Sequence, residues 1–460
     1  MKKPNKQREI LLHRKRERKI LKRIRLNKTF QGYSSVFNRE QTFREAIDRK
    51  IIKRFSSPLL DFFVDKNFIQ KDKKHGATIK FKSDFSLCSN YENAIESIRD
   101  FINAIFSNIG DEIILDFSNC KTADQPALFV LQILRMDFQE ELNSLNSRLR
   151  VISSQSSIKI IHSKVQEVNK LLFVTGLIPQ AELKIEGLMP LTTLGYYKGS
   201  TSQKHYSENR KGAIGTNITN YINHCLSVHG YLFTPTGKNQ LEGLVSEVLN
   251  NAEDHSPFNT YYVTANLLGE MNVDPNANVV GEMNLAFLNF GFSFFEGFEE
   301  TKTQNIAMYE QMEILYNQVN NSIFSTTFSK ENLFTLYALQ DGISRLKYEG
   351  GSRGNGSMKF INSFFSFGDY EDELKHYHPN LTIHTGGTQL VCDNKYKPFH
   401  DGNNVYFISL NSENDLSVLP EKSNLKQLKS AFPGTLLTTR IYLNKEHLRK
   451  KISNNGNTDN

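Results

Sequence analysis

Glu247 and Asn251 stand four residues apart in the run Glu247-Val248-Leu249-Asn250-Asn251-Ala252-Glu253-Asp254-His255. Around them Leu241, Leu244, Val245, Val248, Leu249 and Ala252 recur at the i, i+3, i+4, i+7 spacing of one buried helical face. At about a hundred degrees per residue, Glu247, Asn251 and His255 fall on a separate stripe flanking that face. A carboxylate at such an edge can act as a general base, and a carboxamide one turn on can ligate magnesium for a bound nucleotide. A solvated polar face would show the same pattern, so the decision passes to motifs further along the chain.

Two glycine motifs follow. Leu288-Asn289-Phe290-Gly291-Phe292-Ser293 continues the apolar run 283–288 and reads as a strand entering a turn, where Gly291 allows close backbone approach to a ligand. Gly350-Gly351-Ser352-Arg353-Gly354-Asn355-Gly356 opens a helix and offers free backbone N–H groups and a positive dipole end to phosphate. Competing motifs fail. Between Gly230 and Gly237 lie six residues, not the four of a P-loop, and Asn239 follows Lys238 where Ser or Thr belongs. His376, His378, His384, His400 and Cys392 lack any C-x-x-C or helical H-x-x-x-H spacing, which argues against zinc.

In this order the motifs resemble those of the GHKL (Bergerat-fold) ATPases: gyrase-type topoisomerases, mismatch-repair and chaperone ATPases, histidine kinases and anti-sigma kinases. The resemblance covers residues 200–445 and implies ATP and Mg2+ as cofactors. It implies that Glu247 is the hydrolytic base and Asn251 the metal ligand. Asn289, Gly291 and Ser293 stand in the places of the adenine box, and Gly351, Arg353, Gly354 and Gly356 in those of the phosphate cradle. Gly434-Thr435 matches the closing Gly-Thr, and Arg345, in the region of the ATP lid at 296–347, would reach the terminal phosphate. Asn289 replaces the usual aspartate and Ser293 the second glycine. Asparagine keeps a carbonyl acceptor for an adenine amino group but carries no charge. His205, His224 and His229 precede Tyr, Cys and Gly, not the acidic residue of a histidine-kinase phosphoacceptor.

Elements must position these residues. The pattern predicts a helix over 212–228, adjacent strands at Tyr261–Leu268 and Met283–Leu288, a lid helical in places (including 335–346), and sheet strands at Leu381–His384 and Val405–Ile408. Upstream, strands are expected at 77–81, 112–117 and Leu149–Ile152, with helices at 90–109, after Asp124, and at Val165–Phe173. This alternation is similar to a STAS domain, the fold of anti-anti-sigma factors, over residues 75–185. In signalling members a phosphorylatable serine follows the capping aspartate. Gln125 and Pro126 hold that place here, which implies no regulated phosphorylation. The expected fold is therefore α/β: a STAS-like α/β sandwich at 75–190, then a Bergerat-fold α/β two-layer sandwich ATPase domain at 191–445. A basic arm and linker would occupy 1–74, with an aromatic cluster at Phe55, Phe62, Phe63 and Phe68, and a disordered tail 446–460.

Composition narrows the partners. Residues 1–54 hold 19 Lys/Arg against 5 Asp/Glu, a net +14, so the remainder of a chain of net +7 carries −7. That arm would contact nucleic acid or an acidic partner by charge neutralisation, or stand as a solvated helix. Cys88, Cys120, Cys225 and Cys392 lie far apart, as buried free thiols of a reducing cytoplasm do. No apolar run reaches the roughly eighteen residues of a membrane span. The favoured function is a cytoplasmic, nucleotide-driven switch that slowly hydrolyses ATP and acts on the STAS-like domain or a protein partner. An anti-sigma-like serine/threonine kinase and a nucleotide-binding module without turnover are the alternatives. Self-association into a homodimer stays open.

Overall fold

A computed structural model of the chain describes residues 58–61, 63, 76–108, 112–149, 157–179, 193–200, 207–255, 260–269, 279–320, 328–343, 356–368, 378–400 and 405–451. The basic arm, Phe55, Phe62 and Phe68 lie outside the described residues. The chain divides into two compact units, Met1–Ser56 with Glu141–Gln155, and Ser57–Glu140 with Ser156–Asn460. Both sheets discussed below belong to the second.

Its first half contains α1 (Pro58–Asp61), β1 (Ala77–Lys80), β2 (Asp84–Phe85), α2 (Tyr91–Ser107), β3 (Ile113–Asp116), β4 (Thr122–Ala123), α3 (Gln125–Leu149), β5 (Ile158–Ile161) and α4 (Gln166–Val174). The order β1-β3-β5 is parallel, so each crossover carries a helix, as parallel pairing requires. Ala94, Ile95, Ile98, Phe101, Ile102 and Ile105 are all buried, which makes the expected apolar stripe of α2 its core face. Phe81 stacks on Phe117 at 4.0 Å and closes the sheet over Phe85. Asp124 caps α3 by accepting from Ala127 N at 2.9 Å. One expectation is corrected: Leu149 ends α3 and is not part of a strand. The third strand lies at β5, where residues 158–161 alternate between half-buried and exposed as an edge strand does.

The second half runs β6 (Tyr197–Ser200), α5 (Ser207–Val228), β7 (Tyr231–Phe233), α6 (Pro235–His255), β8 (Thr260–Gly269), β9 (Val279–Phe290), α7 (Phe294–Thr301), α8 (Ile306–Asn320), α9 (Lys330–Tyr337) and α10 (Gly356–Gly368). It continues with β10 (Asn380–Cys392), β11 (Phe399–His400), β12 (Tyr406–Phe407), β13 (Leu425–Asn444), a 3-10 turn at Lys445–His447 and β14 (Leu448–Lys450). Five strands make an antiparallel sheet ordered β10-β13-β9-β8-β6. Period-two alternation sorts its faces. Val263, Ala265, Met283, Leu285, Phe287, Ile383 and Ile441 share one apolar core with α5, α6 and α10. The alternate residues, among them Asn284, Arg440, Thr382 and His384, occupy the opposite face.

Three further expectations change. Among the described residues Tyr406-Phe407 pairs only with β11, so there Val405–Ile408 adds no strand to the main sheet. The C-terminal stretch is ordered through Lys450, because β14 pairs with β7 in the register Leu448↔Phe233. The helix expected at 335–346 starts earlier and ends at Tyr337.

The two halves meet at the polar face of the five-stranded sheet. His384 Nε2 lies 3.0 Å from Leu87 O, Gln389 Nε2 donates to Cys88 O at 2.9 Å, and the Lys429 amide donates to Glu92 at 2.7 Å. Tyr91 stacks on the His384 ring at 5.3 Å. Phe63, from the expected aromatic cluster, packs edge-on against Phe290.

Candidate functional site

Thr234, Pro235 and Gly237 start α6 as a capped helix: the Gly237 amide donates to Thr234 Oγ1 at 3.0 Å, and proline takes the first position, where no N–H is needed. Leu241, Leu244, Val245, Val248 and Leu249 bury the expected face. Glu247 and Asn251 are left half-buried beside it, one turn apart. Neither side chain makes a hydrogen bond among the described residues. Burial pushes the Glu247 carboxyl above the ordinary carboxylate value, and the charge of Lys359 opposes that shift. Lys359 belongs to the first turn of α10, the helix that lies along α6. The side chain of His255 lies outside the described residues.

Asn289 and Thr435 come together. Antiparallel register aligns Thr385, Thr435, Asn289 and Tyr261 in one row across β10, β13, β9 and β8. Asn289 is 9% exposed, and its Nδ2 reaches the Ala252 carbonyl of α6 only at 3.5 Å. Its Oδ1 is buried with no hydrogen-bond partner. A buried carbonyl acceptor left unpaired costs free energy, and this one lies inside the row, between Thr435 and Tyr261. Thr435 Oγ1 bonds Thr385 Oγ1 at 2.9 Å, which fixes its rotamer beside that acceptor.

Gly291 takes φ +124°, a left-handed value that favours glycine, and turns the chain out of β9. Ser293 has a local task. It is the N-cap of α7 in a complete capping box, with Glu296 N donating to Ser293 Oγ at 3.1 Å and Ser293 N donating to Glu296 Oε2 at 2.8 Å. This explains a serine where the GHKL pattern has glycine: the hydroxyl starts a helix. The Phe294 amide then donates to Thr385 Oγ1 at 3.1 Å, tying α7 to the same row.

Gly356 is the first residue of α10, so a helix does open at the glycine cluster. Arg345, Gly351, Arg353 and Gly354 lie outside the described residues. Lys359, Thr385 and Tyr261 join the constellation without having been singled out. Lys359 had a weak signal, three residues into a helix after glycines; the other two are found only from cross-strand register.

In the three-stranded half, Asp124 Oδ2 accepts from Ser86 Oγ at 2.6 Å and from Cys88 N at 2.9 Å, in addition to capping α3. Thr122 Oγ1 donates to Asp84 at 2.8 Å. No group of three or more His, Cys, Asp and Glu side chains that could hold a metal ion occurs among the described residues, and none of their helices is long and apolar enough to cross a membrane.

Comparison of this chain with protein-family models, with curated proteins and with solved structures gives no match. The GHKL and STAS resemblances therefore rest on the residues themselves.

Proposed function

We propose that the five-stranded half is a GHKL-like nucleotide-binding domain and that the protein is a cytoplasmic ATP-dependent regulator acting through the STAS-like half or a protein partner. One observation carries this reading: the unpaired, buried Oδ1 of Asn289, an acceptor of the kind an adenine amino group would satisfy, set beside α6 with Glu247 and Asn251. Asn251 has a carboxamide oxygen uncommitted to the protein and would hold Mg2+, which prefers oxygen ligands and keeps several waters. When bound, the metal neutralises phosphate charge. Gly356 and the helix it opens would face phosphate with backbone N–H groups.

Glu247 does the chemistry in this reading. A carboxylate whose proton affinity is raised by burial is a better base near neutral pH than an exposed one, and it would take the proton of an attacking water. Hydrolysis is favoured over phosphoryl transfer into the STAS-like half, because Gln125 and Pro126 fill the acceptor place. Both also line the space on the opposite face of the sheet from α6.

Nucleotide affinity and phosphate release of two variants test this. Glu247→Ala should bind ATP normally and lose turnover by roughly a hundredfold or more. Asn251→Ala should lose metal-dependent binding. Wild-type values for both would sink the assignment. The basic arm fits a polyanionic or acidic partner, and deletion of residues 1–30 should weaken salt-dependent retention on a polyanion. Equal retention of both forms would exclude that role.

A further inference from the structure

We propose that the cavity between the two halves is a second binding site, for a small acceptor-rich anion bearing phosphate or carboxylate groups. Its volume is 630 Å³, the size of a small-metabolite pocket and far more than a few ordered waters fill. The first half contributes Lys121, Gln125 and Lys170; the polar face of the sheet contributes Asn284, Lys426 and Arg440. It lies across the sheet from Glu247 and Asn251, so it is independent of the nucleotide reading.

The unused hydrogen-bonding capacity of this cavity is mainly that of donors. Gln125 is 4% exposed, and its Nε2 is buried with no hydrogen-bond partner. An amide N–H2 excluded from water and left unpaired is unfavourable, and a ligand acceptor removes that penalty. Lys121, Lys426 and Arg440 make no ion pair among the described residues. The four carboxylates of the lining balance the four cations in formal charge, but each already has a protein partner. Asp84 accepts from Ser89 Oγ and Thr122 Oγ1, and Asp124 from Ser86 Oγ, Cys88 N and Ala127 N. Glu282 accepts from Asn284 Nδ2, and Glu167 pairs with Lys170 at 3.8 Å. Gln125 also opens α3, whose positive end favours an anion. The site thus combines a buried donor with cations at its rim, the arrangement that selects an anion over a neutral or cationic guest.

Thermal unfolding and titration calorimetry of the full chain at constant ionic strength test the proposal, with inorganic phosphate and citrate as probes and chloride as the control. A saturable rise in unfolding temperature is expected with at least one probe. Response to phosphate alone makes the ligand a phosphate compound, response to citrate alone a carboxylate, and response to both leaves the shared anion chemistry. Gln125→Leu removes the unpaired amide, so it should unfold no lower than wild type without ligand and lose the shift. Lys121→Ala and Arg440→Ala change exposed side chains and should weaken apparent affinity several-fold each, which keeps the test alive if the Gln125 variant does not fold. Asn251→Ala should respond like wild type. The proposal is overturned if neither probe gives a saturable response. It is also overturned if the response survives Lys121→Ala and Arg440→Ala unchanged, or disappears in Asn251→Ala.

Discussion

The loop before α3 in the three-stranded half and the residues around α6 in the five-stranded half treat their polar groups in opposite ways. In the first, the loop before α3 is closed on itself: Asp124 takes three protein donors, and Thr122 is committed to Asp84. In the second, Asn289 keeps an acceptor with no partner, and Glu247 and Asn251 project from α6 without a hydrogen bond among the described residues. A scaffold closes its polar groups because unpaired ones are unfavourable in the interior. A site that must receive something leaves them open. Under the proposed function the open groups lie on the sheet that packs on α6, and Gln125, the first residue of α3, carries an open donor at the seam.

The seam itself offers the largest effect. His384 is buried between the halves, and burial lowers its pKa from 6.5 to about 4. The unfolded chain therefore takes up a proton that the folded chain refuses. Stability from this ring is fully present above pH 6.5 and drains away as the pH falls toward about 4. His384→Gln, which can still donate to Leu87 O, should flatten the unfolding free energy across that window by a few kcal/mol relative to wild type. Parallel curves for the two proteins would mean that His384 does not hold the halves together as a neutral ring.

Next comes the acceptor that distinguishes the second half. Asn289→Leu removes a buried carbonyl with no partner, so folding stability should hold or rise. Nucleotide affinity should fall by about 1–2 kcal/mol, roughly five- to thirtyfold. Loss of stability with unchanged affinity would make Asn289 an ordinary structural residue and erase the contrast. The smallest effect sharpens the role of Glu247. Lys359 opposes the upward push of burial on that carboxyl, so Lys359→Met should raise it further. Because Glu247 must be ionised to act, the acid limb of phosphate release should move to higher pH. An unmoved limb would place the titrating group elsewhere.

Much of this arrangement was legible in sequence for a definite reason. The stripe of α6 was visible because six apolar side chains repeat at helical spacing, and β9 because it carries the apolar run 283–288, as a strand buried on both faces does. Several short strands escaped, β5 and β14 among them, because four or fewer residues give too short a pattern to read. In β5 the residues are half exposed, and β14 is Leu-Arg-Lys, held by backbone pairing to β7. The Thr385–Thr435–Asn289–Tyr261 row joins residues far apart in the chain, so only strand register reveals it. The serine at 293 was read as a departure from a ligand-binding pattern, and the capping box gives it a different cause.

Gly434 sets a limit on how this chain can vary. Its φ is +126°, and a β-carbon there would lie 2.2 Å from Asn289 O and 2.8 Å from Phe290 Cα, both backbone atoms that cannot swing aside. Most positions along β13 can accept a different side chain at some loss of contact, but this one has no room for the first carbon. Even alanine would pry β13 from β9 at the residue whose carbonyl is left open. In a saturation screen read out by nucleotide binding, position 434 should therefore be blank for all nineteen replacements, whereas Glu247, whose loss spares binding, should tolerate many.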